Sequence, residues 1–114
     1  MTLFRLLLIL IFTAIALYTA LVIANHGLNL LPVFFGDMAT FAWPGQFNLD
    51  FMCMLALSGL WVAWRHRFSG AGIALGVVAF FGGALFLSVY LLVESFRTQG
   101  NVAALLLGRQ REAR

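Results

Sequence analysis

The sequence predicts an all-α integral membrane protein with three transmembrane helices, and its apolar composition and three long apolar runs carry that prediction. Its 114 residues are 63% hydrophobic and only 10% charged. A helix needs about 20 mostly apolar residues to cross a hydrocarbon core of about 30 Å. We therefore expect one membrane domain, 1–114, with spans at about 3–24, 48–64 and 72–96. An interfacial aromatic loop at 25–47 and a short amphipathic C-terminal tail at 97–114 complete it.

The first predicted span ends at Asn25, His26 and Gly27, where glycine is a common helix stop. Its apolar run of about 19 residues is longer than the 7–15 residues of a signal-peptide core. This length favours a retained transmembrane helix over a cleaved leader.

The loop at 25–47 combines helix-breaking residues with aromatic ones. Proline and glycine interrupt any long helix there. Its aromatic side chains are typical of a segment that lies at the membrane interface or covers the end of a bundle. The breaking residues are Pro32, Gly36, Asp37, Pro44 and Gly45, and the aromatic ones are Phe34, Phe35, Phe41, Trp43 and Phe47.

The second predicted span begins with Asn48 as N-cap, which places Asp50 in the first turn, where the helix dipole favours an anion. Its far end has tryptophans followed by arginines, the pattern of an aromatic belt and a basic anchor. Five residues are predicted as interfacial anchors: Trp43, Trp61, Trp64, Arg65 and Arg67.

The third predicted span carries small residues at helical spacing. Such residues let helix backbones approach closely in lipid, where packing drives association. The predicted helix-packing face consists of Gly72, Gly76, Ala79 and Gly83.

In the tail, a short interfacial helix is expected, with apolar residues on one side and polar ones facing water. The apolar residues are Val102, Leu105 and Leu106, and the polar ones are Arg109, Gln110, Arg111, Glu112 and Arg114.

Three spans would place the N-terminus and the 68–72 turn on one face of the membrane, and the long loop and the tail on the other. Near the span ends, the first face has Arg5, Arg65 and Arg67, whereas the second has Arg97. The positive-inside rule then favours a cytoplasmic N-terminus. A count that includes the whole tail gives three arginines against four and points the other way.

The same topology predicts a polar cluster of His26, Asp50, Glu94 and Arg97 near one membrane surface. Ionisable groups within spans are costly and suggest function, but the cost falls toward the interface. Three interpretations are open: a structural latch with a Glu94–Arg97 pair at i, i+3, a site that handles protons or cations, and a polar contact to a larger partner.

No catalytic, cofactor-binding or metal-binding motif stands out, and we expect no enzyme activity. The single cysteine, Cys53, permits no internal disulfide. His26 and His66 fall on opposite faces and so cannot ligate one haem together. The basic residues sit at span ends and in the tail, which argues against nucleic-acid binding.

The stretch 46–90 resembles a family of small, uncharacterised bacterial membrane proteins with about three spans. The resemblance rests on Gln46-Phe47-Asn48-Leu49-Asp50, Ser58, the end from Trp61 to Arg65 and the glycine-bearing third span. It implies a bacterial inner-membrane location and no particular activity.

These observations favour a non-catalytic accessory or structural subunit of a larger membrane complex, with a respiratory or photosynthetic complex as a natural host. Its partners would be the lipid bilayer and other membrane subunits or itself. A small proton or cation transporter or channel component is the second hypothesis. A lipid- or quinone-binding protein, with the aromatic loop shaping a pocket, is the third.

Overall fold

The computed structural model describes residues 1–108, and these form five helices without a strand. In chain order they are α1 (Thr2–His26), α2 (Leu30–Ala39), α3 (Trp43–Arg65), α4 (Gly70–Arg97) and α5 (Val102–Leu107). By length and composition, three of them, α1, α3 and α4, are long and apolar enough to cross a membrane, although non-helical backbone at Gly83 interrupts α4. Their most apolar windows have mean hydropathies of 2.8, 1.4 and 2.3.

The segment expected as a loop contains α2. Pro32 is the third residue of this helix, in the first turn, where no intrahelical partner for a backbone N–H is needed. The following helix, α3, begins at Trp43, with Pro44 in its first turn. It therefore starts five residues before the predicted N-cap, Asn48, whose side chain instead donates a hydrogen bond to Phe34 O at 3.0 Å.

The third apolar run folds back on itself at Gly83. Gly72 packs against His66, since a Cβ placed there would lie 2.5 Å from the His66 Cβ. Tyr90, on the same helix, has its hydroxyl 2.6 Å from Nε2 of that histidine. A straight helix would separate positions 72 and 90 by about 27 Å. The chain therefore reverses between them.

Gly83 is the residue that permits the reversal. Its φ of 58° and ψ of −142° are non-helical and lie on the positive-φ side that glycine adopts without steric cost. A Cβ placed on Gly83 would lie 3.2 Å from Phe51 Cζ and 3.3 Å from Leu55 Cδ2, both in α3. We call residues 70–82 the first arm of α4 and residues 84–97 the second arm.

The two arms pack on different neighbours. The first arm lies so close to α3 that a Cβ on Gly76 would come 2.7 Å from Gly59 O. The second arm packs against α1 and α3, with Tyr90 in a small buried cluster with Val62 and Ala79. All four residues of the predicted packing face, from Gly72 to Gly83, are buried.

This path gathers the start of α1, the end of α3, both ends of α4 and the whole of α5 at one end of the molecule. We call it the basic end, defined by Arg5, Arg65, Arg67 and Arg97. The opposite end carries the end of α1, α2 and the start of α3, with Asp37 and Asp50. The sequence predicted that the tail emerges beside the long loop, and for residues 97–108 this prediction is wrong. The predicted polar side of the tail, 109–114, lies outside the described residues.

Candidate functional site

A buried polar network at the basic end is centred on Arg65. This residue is only 3% exposed, although the sequence predicted an interfacial anchor. Its guanidinium enters the protein because the second arm and α5 supply acceptors there. Arg65 donates to Leu105 O at 2.6 Å, to Ala104 O at 3.3 Å, to Tyr90 Oη at 3.0 Å and to Glu94 Oε2 at 3.3 Å.

Glu94 is the buried acceptor of the network and is also 3% exposed. Oε2 pairs with Arg65, and Oε1 accepts from Arg97 Nη1 at 3.2 Å. The Glu94–Arg97 pair expected from the i, i+3 spacing is therefore present. A carboxylate at a helix C-terminus opposes the dipole, and the two guanidinium groups offset that cost.

Tyr90 and His66 extend the network toward the turn between α3 and α4. The Tyr90 hydroxyl accepts from Arg65 and shares its 2.6 Å hydrogen bond with His66 Nε2. The Trp61 ring packs edge-on against the Tyr90 ring, with centroids 6.2 Å apart. The indole N–H of Trp61 donates to Leu106 O at 3.1 Å. Both Trp61 and Arg65 therefore hold α5 against the end of α3.

Arg5 makes the matching connection from α1 to the second arm. Nε donates to Ser95 Oγ at 3.0 Å and Nη2 to Ser95 O at 2.9 Å. The guanidinium carbon lies 3.8 Å from the Phe96 ring centroid, a cation–π contact. Arg5 thus adds a second hydrogen bond to a carbonyl in the last turn of α4, since Ser95 O also accepts from Gly100 N–H at 2.9 Å.

The structure does not bring the predicted four-residue cluster together. Asp50 is exposed and lies fifteen positions before Arg65 on α3, about 22 Å along the helix, so it is far from the Glu94 carboxylate. His26 is exposed at the far end of α1. Asp50 also lies beyond the first turn of α3, because that helix begins at Trp43. The explanation through the helix dipole therefore does not apply to it.

The sequence did not predict that Arg65, His66 and Tyr90 join Glu94 in one network, or that Arg5 binds Ser95 beside it. The available signal was the pair Gly82-Gly83 in the middle of an apolar helix, because glycine pairs are frequent sites of kinks. A reversal there would have moved Glu94 to the arginines at the end of α3.

Within residues 1–108, every buried side-chain nitrogen and oxygen has a hydrogen-bond partner. In the same part of the chain, no group of three His, Cys, Asp or Glu residues could hold a metal ion. The network joins helix ends through hydrogen bonds that satisfy its buried groups, and such a set fixes geometry.

An apolar groove of about 540 Å³ lies at the opposite end, between α2, the start of α3 and the tip of α4 at Gly83. Asn48 supplies a polar side chain to its wall. Trp43 is 72% exposed and lies outside this groove. Six phenylalanines line it: Phe34, Phe35, Phe47, Phe51, Phe80 and Phe81.

Fold and network together define an all-helical protein in which three helices reach membrane-spanning length and apolarity, one of them, α4, only when its two arms are counted together. Comparisons of the chain with protein-family models, curated proteins and solved structures give no match.

Proposed function

We propose that the protein is a non-catalytic accessory or structural subunit of a larger assembly in a bacterial inner membrane. The observation that supports this proposal is the contrast between its satisfied polar groups and its uncovered apolar helices. Only 6% of the most apolar window of α1 is buried inside the protein. A helix that is apolar all round requires a covering of lipid or protein.

The outer face of α1 is the docking surface that we propose. Leu10, Leu17 and Leu21 are 65%, 62% and 64% exposed, and their spacing places them on one side of the helix. The inner side is occupied, because Leu8 is buried and Arg5 binds the second arm of α4. A partner helix can therefore lie along α1 without disturbing the fold.

We also propose that the basic end faces the cytoplasm. Of the described residues, all four arginines lie at that end and none at the opposite one. Arginine near helix ends favours the cytoplasmic side. The N-terminus, the turn between α3 and α4 and the short helix α5 would then share that compartment.

Purification in a mild detergent at near-native abundance, followed by mass spectrometry, tests the accessory role. Stoichiometric partner proteins are expected. Leu17→Trp should release the partner proteins, because the larger side chain would obstruct a helix packed along α1. Val77→Trp, on the exposed first arm of α4, is the matched control and should leave the partners bound. Recovery of the chain alone or only with itself, from native membranes, would contradict the proposal.

The apolar groove favours a second candidate, a lipid- or quinone-binding protein. Its volume of about 540 Å³ falls within the range of about 300–1,000 Å³ for small-molecule sites. Leu31→Trp should fill the groove and abolish a bound lipid or quinone that co-purifies at a defined ratio. Leu28→Trp is the matched control, since Leu28 is 81% exposed and does not line the groove. The transport hypothesis assigned cation or proton handling to Asp50 and Glu94, and the wide separation of these two residues adds no support to it.

A further inference from the structure

The reversal at Gly83 gives the molecule a charge asymmetry that a straight third span would not have. A straight α4 would carry Arg97 and the tail to the face opposite Arg5, Arg65 and Arg67. In the structure Glu94 binds both Arg65 and Arg97, and Arg5 binds the neighbouring Ser95. The four arginines therefore lie at one end.

That end has a formal charge of +3 in the described residues, from four arginines and Glu94. Both oxygens of Glu94 already accept from guanidinium groups, so this carboxylate offers little further attraction to a cation. The opposite end carries Asp37 and Asp50. In the sequence, Arg109, Arg111 and Arg114 follow Gly108, which packs on Arg65.

Arg97 is the arginine best placed to meet an external anion. Its side chain is 51% exposed, and of its nitrogen atoms only Nη1 donates a hydrogen bond within residues 1–108, to Glu94 Oε1. The remaining N–H groups form a planar fork whose geometry matches phosphate. Guanidinium groups near an anionic membrane surface each add to the affinity for that surface.

We propose that the basic end binds the headgroups of anionic phospholipids, with Arg97 as a direct contact. This inference rests on the proposed membrane location and is independent of the accessory role. Lipid headgroups fit because the groups around Arg97 lie at the ends of α1 and α3, two helices of membrane-spanning length, and at the end of the second arm of α4.

Native mass spectrometry of the detergent-purified full chain, titrated with a phosphatidylglycerol or a phosphatidylcholine of the same acyl chains, tests the proposal. At about 50 mM ammonium acetate we expect phosphatidylglycerol to bind about tenfold more tightly. At about 500 mM the preference should fall to below about threefold, because salt screens exposed charges. Arg97→Gln should reduce the preference by about fivefold, whereas Asp37→Asn, at the opposite end, should leave it unchanged.

Each outcome has a defined meaning. Equal binding of the two lipids, or a preference that neither salt nor Arg97→Gln alters, overturns the headgroup site and leaves the membrane location intact. If neither lipid binds, both the headgroup site and the membrane location are contradicted. The salt series uses the unmodified protein, so the test stands even if Arg97→Gln fails to fold.

Discussion

Arg65 and Glu94 form a buried ion pair, with 3.3 Å between Nη2 and Oε2. In a straight hairpin of α3 and α4 the turn would hold residue 65 near residue 70, and Glu94 would lie about 36 Å farther along the helix. The pair therefore reports the reversal of α4 directly. It also joins the end of α3 to the second arm of α4.

Loss of the Glu94 charge should destabilise the fold strongly. Glu94→Gln leaves Arg65 with a buried guanidinium and no counter-charge, and breaking a buried pair in this way costs about 3–5 kcal/mol. The free energy of unfolding in detergent measures the effect. Asp50→Asn, at an exposed acid on α3, is the control and should change it by less than about 0.5 kcal/mol. Equal effects of the two substitutions would show that Glu94 is not paired.

A side chain at Gly83 should strain the reversal. Gly83→Ala places a Cβ at a φ of 58°, 3.2 Å from Phe51 Cζ, and the positive φ alone costs about 1–2 kcal/mol. The melting temperature should fall. Gly70→Ala, at the start of the same helix and with no neighbour within 4 Å of the added Cβ, should leave it unchanged or raise it. A neutral Gly83→Ala would mean that α4 is straight.

The close approach of α3 and the first arm should depend on Gly76. A Cβ at this position would meet a backbone atom, Gly59 O, at 2.7 Å, so the helices must separate. We expect Gly76→Ala to cost about 1–3 kcal/mol of unfolding free energy. Gly36→Ala in α2 has open space around it and should instead stabilise by up to about 1 kcal/mol. The measurement is the unfolding free energy of both variants, which should fall for Gly76→Ala and rise for Gly36→Ala. A rise for both would contradict the close approach of the two helices.

The docking of α5 should depend on the Trp61 indole. Trp61→Phe keeps most of the aromatic packing but removes the donor to Leu106 O, a loss of about 1 kcal/mol. Amide hydrogen exchange in residues 102–107 should accelerate. Trp43→Phe, at a ring that is 72% exposed, should leave exchange in α5 unchanged. Equal protection in all three proteins would show that α5 is held by other contacts.

The i, i+3 spacing was sufficient to predict the Glu94–Arg97 pair and apolar patterning to predict the long helices, because both depend on neighbours close in sequence. The spacing of small residues also selected Gly72, Gly76, Ala79 and Gly83, and the structure buries them. However, the same pattern of small residues occurs in a straight packing face and at a reversal of the chain. The role of Gly83 therefore depends on its φ and its contacts, which a hydropathy pattern does not carry.

The network at the basic end could not be read from the sequence for the same reason. Arg65 after Trp64 is typical of a membrane anchor, and only the return of the second arm supplies Tyr90 and Glu94 as partners. The prediction that Asp50 lies near Glu94 was wrong because it depended on a straight α4 that runs along the whole length of α3. Helix α2 lies in a segment for which the sequence predicted a loop, because proline is typical of a helix break, whereas Pro32 stands in a first turn.

The central claim is that α4 returns to the end from which it started, and cysteine accessibility tests it most directly. Single cysteines are introduced by Gly70→Cys, Gln99→Cys and Thr40→Cys in a background with Cys53→Ala, and a membrane-impermeant maleimide is applied to intact and to inverted membrane vesicles. We predict that positions 70 and 99 label from the same side and position 40 from the opposite side. Labelling of position 99 from the side of position 40 would contradict the reversal and the basic end that depends on it.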